Sequence, residues 1–345
     1  MINMGIQDFI KKYDSQNQFE ALRETYKQIL SAWNNKIDLS NLKIKNISSI
    51  IFCGLGGSAI SGDLLVNYLS DELTIPFNVV RGYNLPSNVK DNSLVIISSY
   101  SGNTEETISC FNQALKKNCA IVAITSGGKI SDEAINHKVP VVKIQGGFQP
   151  RYALGLGFFS LLKVMQELKL ANEESTVRRI KDLWQKRGEE YSLENNIAFQ
   201  FAEKLVGFIP VIYSSEFLSS VGYRFKSQFN ENSKLHAFHH NIPEMNHNEI
   251  IGWESFNEKQ FNAKVVYLLD KNFNKQNLKR FTILQELISE RKVEILTLES
   301  NEVDRKVRIM DLIFLCDWIT FYTAVLRGYD PSEIDFIHQM KKRLV

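Results

Sequence analysis

Ser99, Ser101 and Thr104 crowd around Gly102 in the stretch Ser98-Ser99-Tyr100-Ser101-Gly102-Asn103-Thr104-Glu105-Glu106-Thr107. An apolar run, Leu94-Val95-Ile96-Ile97, precedes them, and Ile108, Phe111, Ala114 and Leu115 follow at helical spacing. The pattern predicts a buried strand, a hydroxyl-rich turn and a helix whose first turn carries Glu105 and Glu106, where the dipole favours negative charge. Free N–H groups of a first helical turn, with hydroxyl donors around them, make an anion site that needs no metal. The same residues also serve as plain helix caps, so one such turn leaves both roles open.

A second turn of this kind weights the anion role. Ile50-Ile51-Phe52-Cys53 leads into Gly54-Leu55-Gly56-Gly57-Ser58-Ala59, followed by the helical pattern of Leu64, Leu65, Tyr68 and Leu69. The spacing Gly54-x-Gly56-x-x-Ala59 imitates a dinucleotide fingerprint, but that site wants an acidic residue at the end of the second strand, about 20 residues on. Here Asp71 and Glu72 precede the strand Phe77-Asn78-Val79-Val80, and Arg81-Gly82-Tyr83 follows it. Two hydroxyl turns on neighbouring strands fit a sugar phosphate better than a pyrophosphate.

Acid–base candidates lie further along. Glu231, flanked by Asn230 and Asn232, ends a helical pattern, where the negative end of the dipole suits a proton-carrying base; a solvated surface glutamate has the same sequence signature. His247 sits in Pro243-Glu244-Met245-Asn246-His247-Asn248-Glu249-Ile250, after His236, His239 and His240. His236 and His240 have the spacing of a zinc-binding helix, but the segment reads as strand plus loop, where that spacing parts the rings; the preference for a catalytic His247 over a metal leans on the resemblance given below. Arg151, before a helix at the junction of the two halves, is either a structural ion-pair residue or a ligand-reaching cation. Lys341 and Lys342 close a terminal helix whose Ile334, Ile337, Met340 stripe is expected to dock it on the body; one residue turns a helical side chain by about 100°, so only one lysine can face a site.

These residues require a frame. An amphipathic helix is expected over 19–34, packed outside a first sheet with strands at about 49–53, 77–80, 94–98, 120–125 and 139–144. Helices over about 152–169 and 173–191 lead to a second half with strands at 209–213, 236–238, 264–269 and 293–298. The fold class is α/β: two doubly wound parallel-sheet domains with a C-terminal helix. The expected division is a helical segment on the first domain over 1–44, a phosphate-binding domain over 45–170, a connecting helix over 171–192, a second domain over 193–328 and the terminal helix over 329–345. The second half lacks both hydroxyl turns, so only the first is expected to grip phosphate.

A chain of 345 residues has room for two such cores. A net charge of +2 gives no footprint for nucleic acid or an anionic membrane. Four scattered cysteines without a CxxC pair read as free thiols of a cytoplasmic protein. Met1 to Gln18 carries Asp8, Lys11, Lys12 and Asp14 and no central apolar stretch, unlike an ordinary signal peptide, and no run reads as long enough to span a bilayer.

Together the motifs Gly54-Leu55-Gly56-Gly57-Ser58, Ser99-Tyr100-Ser101-Gly102-Asn103-Thr104, Pro150-Arg151, Asn230-Glu231-Asn232, Asn246-His247-Asn248-Glu249 and Met340-Lys341 resemble the bifunctional phosphoglucose/phosphomannose isomerases of the sugar isomerase (SIS) superfamily. The resemblance implies two SIS domains and a homodimer whose active site is shared between subunits. It also implies interconversion of glucose 6-phosphate and mannose 6-phosphate with fructose 6-phosphate, without metal or organic cofactor. By resemblance Ser58, Ser99, Ser101 and Thr104 hold the phosphate, Gly56 and Gly57 line the site, Arg151 stabilises an enediolate, and Glu231 shuttles the proton. His247, from the neighbouring subunit, and Lys341 assist ring opening. The alternative reading is a non-catalytic SIS module that senses a sugar phosphate; such sensors usually carry a DNA-binding domain, of which the first forty residues show no sign.

Overall fold

The computed structural model describes residues 5–42, 46–256 and 262–344. Three short helices come first: α1 (Ile6–Tyr13), α2 (Gln18–Arg23) and α3 (Thr25–Trp33). A run of alternating elements follows: β1 (Ser49–Cys53), α4 (Gly56–Tyr68), β2 (Phe77–Val80), β3 (Ser93–Ser99), α5 (Glu105–Lys116), β4 (Ala120–Thr125), α6 (Gly128–Asn136), β5 (Val141–Lys143) and α7 (Leu154–Glu167). After α8 (Glu174–Ser192) and α9 (Ile197–Leu205) come β6 (Ile209–Ser215), α10 (Ser219–Asn232), β7 (Phe238–Ile242), β8 (Ala263–Leu269), α11 (Lys275–Ser289), β9 (Ile295–Glu299), α12 (Arg305–Leu326) and α13 (Asp335–Leu344).

The chain divides into two compact units, one of Thr25–Asp182 and one of the described residues of Met1–Glu24 and Leu183–Val345. In the Thr25–Asp182 unit all strands are parallel, in the order β2-β1-β3-β4-β5. Every residue of β3 is buried, as expected of a strand covered by helices on both faces. Ile51, Cys53, Val95, Ile97, Ile121 and Ala123 form one face and pack with Phe111, Ala114, Ile130 and Ala134 of α5 and α6. Each buried aliphatic side chain contributes about 1.5–3 kcal/mol, so this layer fixes where the strand ends and their turns stand.

The other unit repeats the pattern with the order β7-β6-β8-β9, again parallel. Its central helix, α12, is by length and composition apolar enough to cross a membrane, which the sequence reading missed; 94% of its most apolar window is buried, so the helix is the core of its unit. The first N-terminal helices depart from expectation. The 19–34 pattern breaks at Glu24, and residues before the break belong with the second-half unit, where the ring of Phe19 meets Trp318 edge-on at 5.3 Å. α3 belongs to the first sheet's unit and packs there against α7. The short strand expected at 236–238 runs instead from Phe238 to Ile242. The expected boundary at 44/45 lies outside the described residues.

Candidate active site

In a doubly wound sheet the crevice for ligands opens at the carboxyl ends of two strands whose connections leave in opposite directions. In the first sheet those strands are β1 and β3. The two hydroxyl turns stand at their carboxyl ends, each running into a helix N-terminus. Ser58 lies in the first turn of α4, and Thr104 is the residue before α5 with its side chain not spent on capping. Tyr100 N donates to Ser58 Oγ at 3.2 Å, which joins the turns. Ser99 Oγ is 3.0 Å from Thr104 Oγ1 and accepts from Gly102 N at 3.1 Å; Ser101 Oγ accepts from Asn103 N at 3.3 Å. Ser99 is buried, Ser58 and Thr104 are half-buried, and Ser101 is exposed.

A third turn, after β4, buttresses the second. Lys129 N donates to Asn103 Oδ1 at 3.0 Å, Ile130 N to Gly102 O at 2.9 Å, and Ser126 Oγ to Tyr100 O at 2.6 Å. Gly102, at φ +70°, packs so tightly here that a Cβ would stand 1.7 Å from Gly127 O. Arg151 belongs to the same unit. It sits in the 3-10 turn Pro150–Tyr152, 2% exposed, with its Cζ 5.6 Å from the Tyr152 ring centre. A Cβ on Gly57 would lie 3.0 Å from Pro150 O and 3.4 Å from Arg151 N, so the small residue lets the arginine's backbone lie against the first turn. Thus the structure brings together Gly56, Gly57, Ser58, Ser99, Ser101, Thr104 and Arg151 within one unit.

The corresponding place in the second sheet, between β6 and β8, is filled. Where the first turn has Gly56 at φ +50°, the second has Glu216 at φ +45°. Its Oε1 accepts from Asn274 N and Asn277 Nδ2, both at 2.9 Å. At the end of β8, Asp270 pairs with Arg308, both 1% exposed. A carboxylate seated at this crevice repels an anion, and the guanidinium of Arg308 is already spent on Asp270, so this crevice is unsuited to hold a phosphate.

Glu231, His247 and Lys341 all lie in the other unit. Glu231 is half-buried in the last turn of α10, a helix clamped to α12 by a polar ladder. Arg224 Nε and Nη2 donate to Asp317 Oδ1 and Oδ2 at 2.9 and 2.7 Å, Asn232 Nδ2 to Thr320 Oγ1 at 3.0 Å, and Ser233 Oγ to Thr320 O at 2.7 Å. Burial pushes the Asp317 carboxyl up from its ordinary value, and the Arg224 charge and the Arg224 and Gln228 bonds oppose that shift. His247 ends the 3-10 turn Glu244–His247 and is exposed, as is Lys341 on α13. The expected docking stripe of α13 is corrected at Met340: Ile334 and Ile337 are half-buried, but Met340 is 56% exposed and with Phe336 and Leu344 presents an outward face at four-residue spacing.

The histidine cluster does not converge. His239 faces inward, with Nε2 2.8 Å from Ser214 Oγ, while His240, its strand neighbour, points the other way toward Glu249. Among the described residues no three His, Cys, Asp or Glu side chains are placed to share a metal ion. The sequence reading missed the Arg224–Asp317 clamp, although an aspartate inside the apolar run of α12 was its visible signal.

Comparison with known proteins extends this picture. The SIS domain profile matches residues 43–158, and that of the bacterial phospho-glucose isomerase C-terminal SIS domain matches residues 194–344. A bifunctional phosphoglucose/phosphomannose isomerase of Caldicellulosiruptor bescii is 37% identical over 94% of this chain and 98% of its own length. A D-glucosamine-6-phosphate 4-epimerase of Sulfolobus acidocaldarius is 30% identical over 71% of this chain and 74% of its own. The crystal structure of a hypothetical protein from Thermus thermophilus superposes with a TM-score of 0.70 at 15% identity, covering 99% of this chain and 94% of that one, a likeness of fold. The chain belongs to the bifunctional phosphoglucose/phosphomannose isomerase family.

Proposed function

We propose that this chain is an aldose–ketose isomerase that interconverts glucose 6-phosphate, and mannose 6-phosphate, with fructose 6-phosphate. The observation that carries the reading is the pair of joined hydroxyl turns at the switch point of the first sheet, with the backbone of Arg151 laid against one of them. Phosphate held there by Ser58, Ser99, Ser101 and Thr104 anchors the far end of the sugar, and Gly56 and Gly57 leave it room.

The chemistry then needs two proton movements. Ring opening passes a proton between O5 and the anomeric hydroxyl, work suited to His247, contributed by the neighbouring subunit of a homodimer, together with Lys341. A base must next carry one proton between C2 and C1 through a cis-enediolate, the role of Glu231, and Arg151 stabilises the developing oxyanion as a fixed cation. The enzyme acts in the cytoplasm and takes no metal or organic cofactor.

Purified protein incubated separately with glucose 6-phosphate, mannose 6-phosphate and glucosamine 6-phosphate tests the assignment. Fructose 6-phosphate is expected from the first two. Turnover of the third alone would move the activity to the epimerase of the related protein, and binding without turnover of any would make the chain a sensor.

A further inference from the structure

Tyr100 stands between the two serines of the second turn, yet its side chain leaves that turn. Its hydroxyl donates to Gln145 O at 3.2 Å and accepts from Phe148 N at 2.9 Å. Both partners belong to the segment that runs from β5 to the 3-10 turn carrying Arg151. The main chain of Tyr100 is tied as firmly to the phosphate side: its N–H donates to Ser58 Oγ, and its carbonyl accepts from Ser126 N at 3.2 Å and Ser126 Oγ at 2.6 Å. Past the arginine, Tyr152 O accepts from Gln28 Nε2 at 2.7 Å, so the 3-10 turn is pinned on its far side too. Partial burial raises the phenol pKa, which keeps its proton available for Gln145 O.

We propose that Tyr100 is a positioning residue: its hydroxyl ties the Arg151 loop to the phosphate turn and thereby fixes the distance between the phosphate grip and the guanidinium. This rests on the isomerase reading above. The need is geometric. A six-carbon sugar phosphate reacts at the end remote from its phosphate, so the two contact points must keep a set separation, and misplacement by about 1 Å costs on the order of 100-fold. The phosphate turn has its own internal hydrogen bonds and does not depend on the phenol. The loop loses two bonds if the hydroxyl is removed.

Kinetics of Tyr100→Phe, Arg151→Ala and the double variant test the idea. Tyr100→Phe is expected to lower kcat about tenfold with KM and the inhibition constant of inorganic phosphate changed less than about threefold, because the anion grip survives. An aldonate analogue of the enediolate should bind about tenfold more weakly, in step with kcat. The double variant should match Arg151→Ala within about threefold, since a residue acting through the arginine has nothing left to position. Losses that multiply in the double variant, a kcat within about twofold of wild type for Tyr100→Phe, or a phosphate constant that shifts in parallel would each overturn the proposal. Thermal midpoints of all three variants, expected within a few degrees of wild type, separate a positioning loss from unfolding. A wild-type protein that turns over neither sugar phosphate overturns the functional reading and this inference with it, whereas the outcomes above leave that reading standing.

Discussion

Gly102→Ala is the sharpest single perturbation of the proposed phosphate site. The new Cβ would stand 1.7 Å from Gly127 O and 2.7 Å from Gly127 C, both main-chain atoms that no rotamer change can move. Reaching even a tolerable 3.0 Å requires the turn after β3 and the turn after β4 to part by at least 1.3 Å, the difference of the two distances. That separation breaks Ile130 N to Gly102 O and Lys129 N to Asn103 Oδ1. At about 1 kcal/mol each, with about 1–2 kcal/mol for placing an L-residue at φ +70°, the fold should lose about 3–4 kcal/mol. Ser101 and Asn103 move with the turn, and a shift of this size should cut kcat/KM on the order of 100-fold, chiefly through KM for the sugar phosphate. Urea unfolding and a coupled assay of fructose 6-phosphate formation measure the two effects. Gly82→Ala, with open space around its Cβ, is the matched control and should be neutral. A Gly102→Ala protein within about 0.5 kcal/mol of wild type and within about threefold of its activity would refute the account of how this turn is held.

Three further outcomes follow from the other unit. Glu231→Gln should lower turnover by about 100- to 10,000-fold while sugar-phosphate binding, followed by calorimetry, persists; equal loss of both would remove its role as base. Asp317→Asn strands the buried Arg224 charge and should destabilise the fold by about 3–5 kcal/mol, and Arg224→Met with Asp317→Leu should restore most of that in denaturant titrations. Burial, then the charges of His240 and Lys226, pushes His239 down to about 3 from 6.5. The unfolded chain therefore takes up a proton that the folded chain refuses, so stability present above pH 6.5 is lost as pH falls toward 3, at up to about 1.4 kcal/mol per pH unit; His239→Gln should flatten that limb, and parallel curves would contradict it.

The strands of both sheets were legible because their apolar runs are short, continuous and bounded by turn residues, and the hydroxyl turns because serine, threonine and glycine cluster where a strand becomes a helix. What escaped is what distant sequence supplies. Nothing near Phe19 announces that its ring will meet Trp318, and the 19–34 periodicity is smooth across a break that sends its two parts to different units. Period alone also over-extended the stripe of the terminal helix: Ile334 and Ile337 are half-buried, but Met340 lies with Phe336 and Leu344 on an exposed face. The link from Tyr100 to the Arg151 loop was hidden for a simpler reason: two of its bonds go to main-chain atoms, which leave no trace in residue identity.

The assignment of the first 24 residues has a practical corollary for dissecting the molecule. In topological terms the Thr25–Asp182 unit is an insertion within its companion, one continuous stretch of chain whose C-terminal boundary falls inside α8. The companion has no such continuous form. A fragment begun at Leu183 strips α1 and α2 from the aromatic face of α12, leaving the rings of Trp318 and Phe321 bare where Phe19 covered them. Joining residue 24 to residue 183 through a short flexible linker is the cut that keeps that cover, and it, rather than simple truncation, is how the lobe bearing Glu231 should be prepared alone.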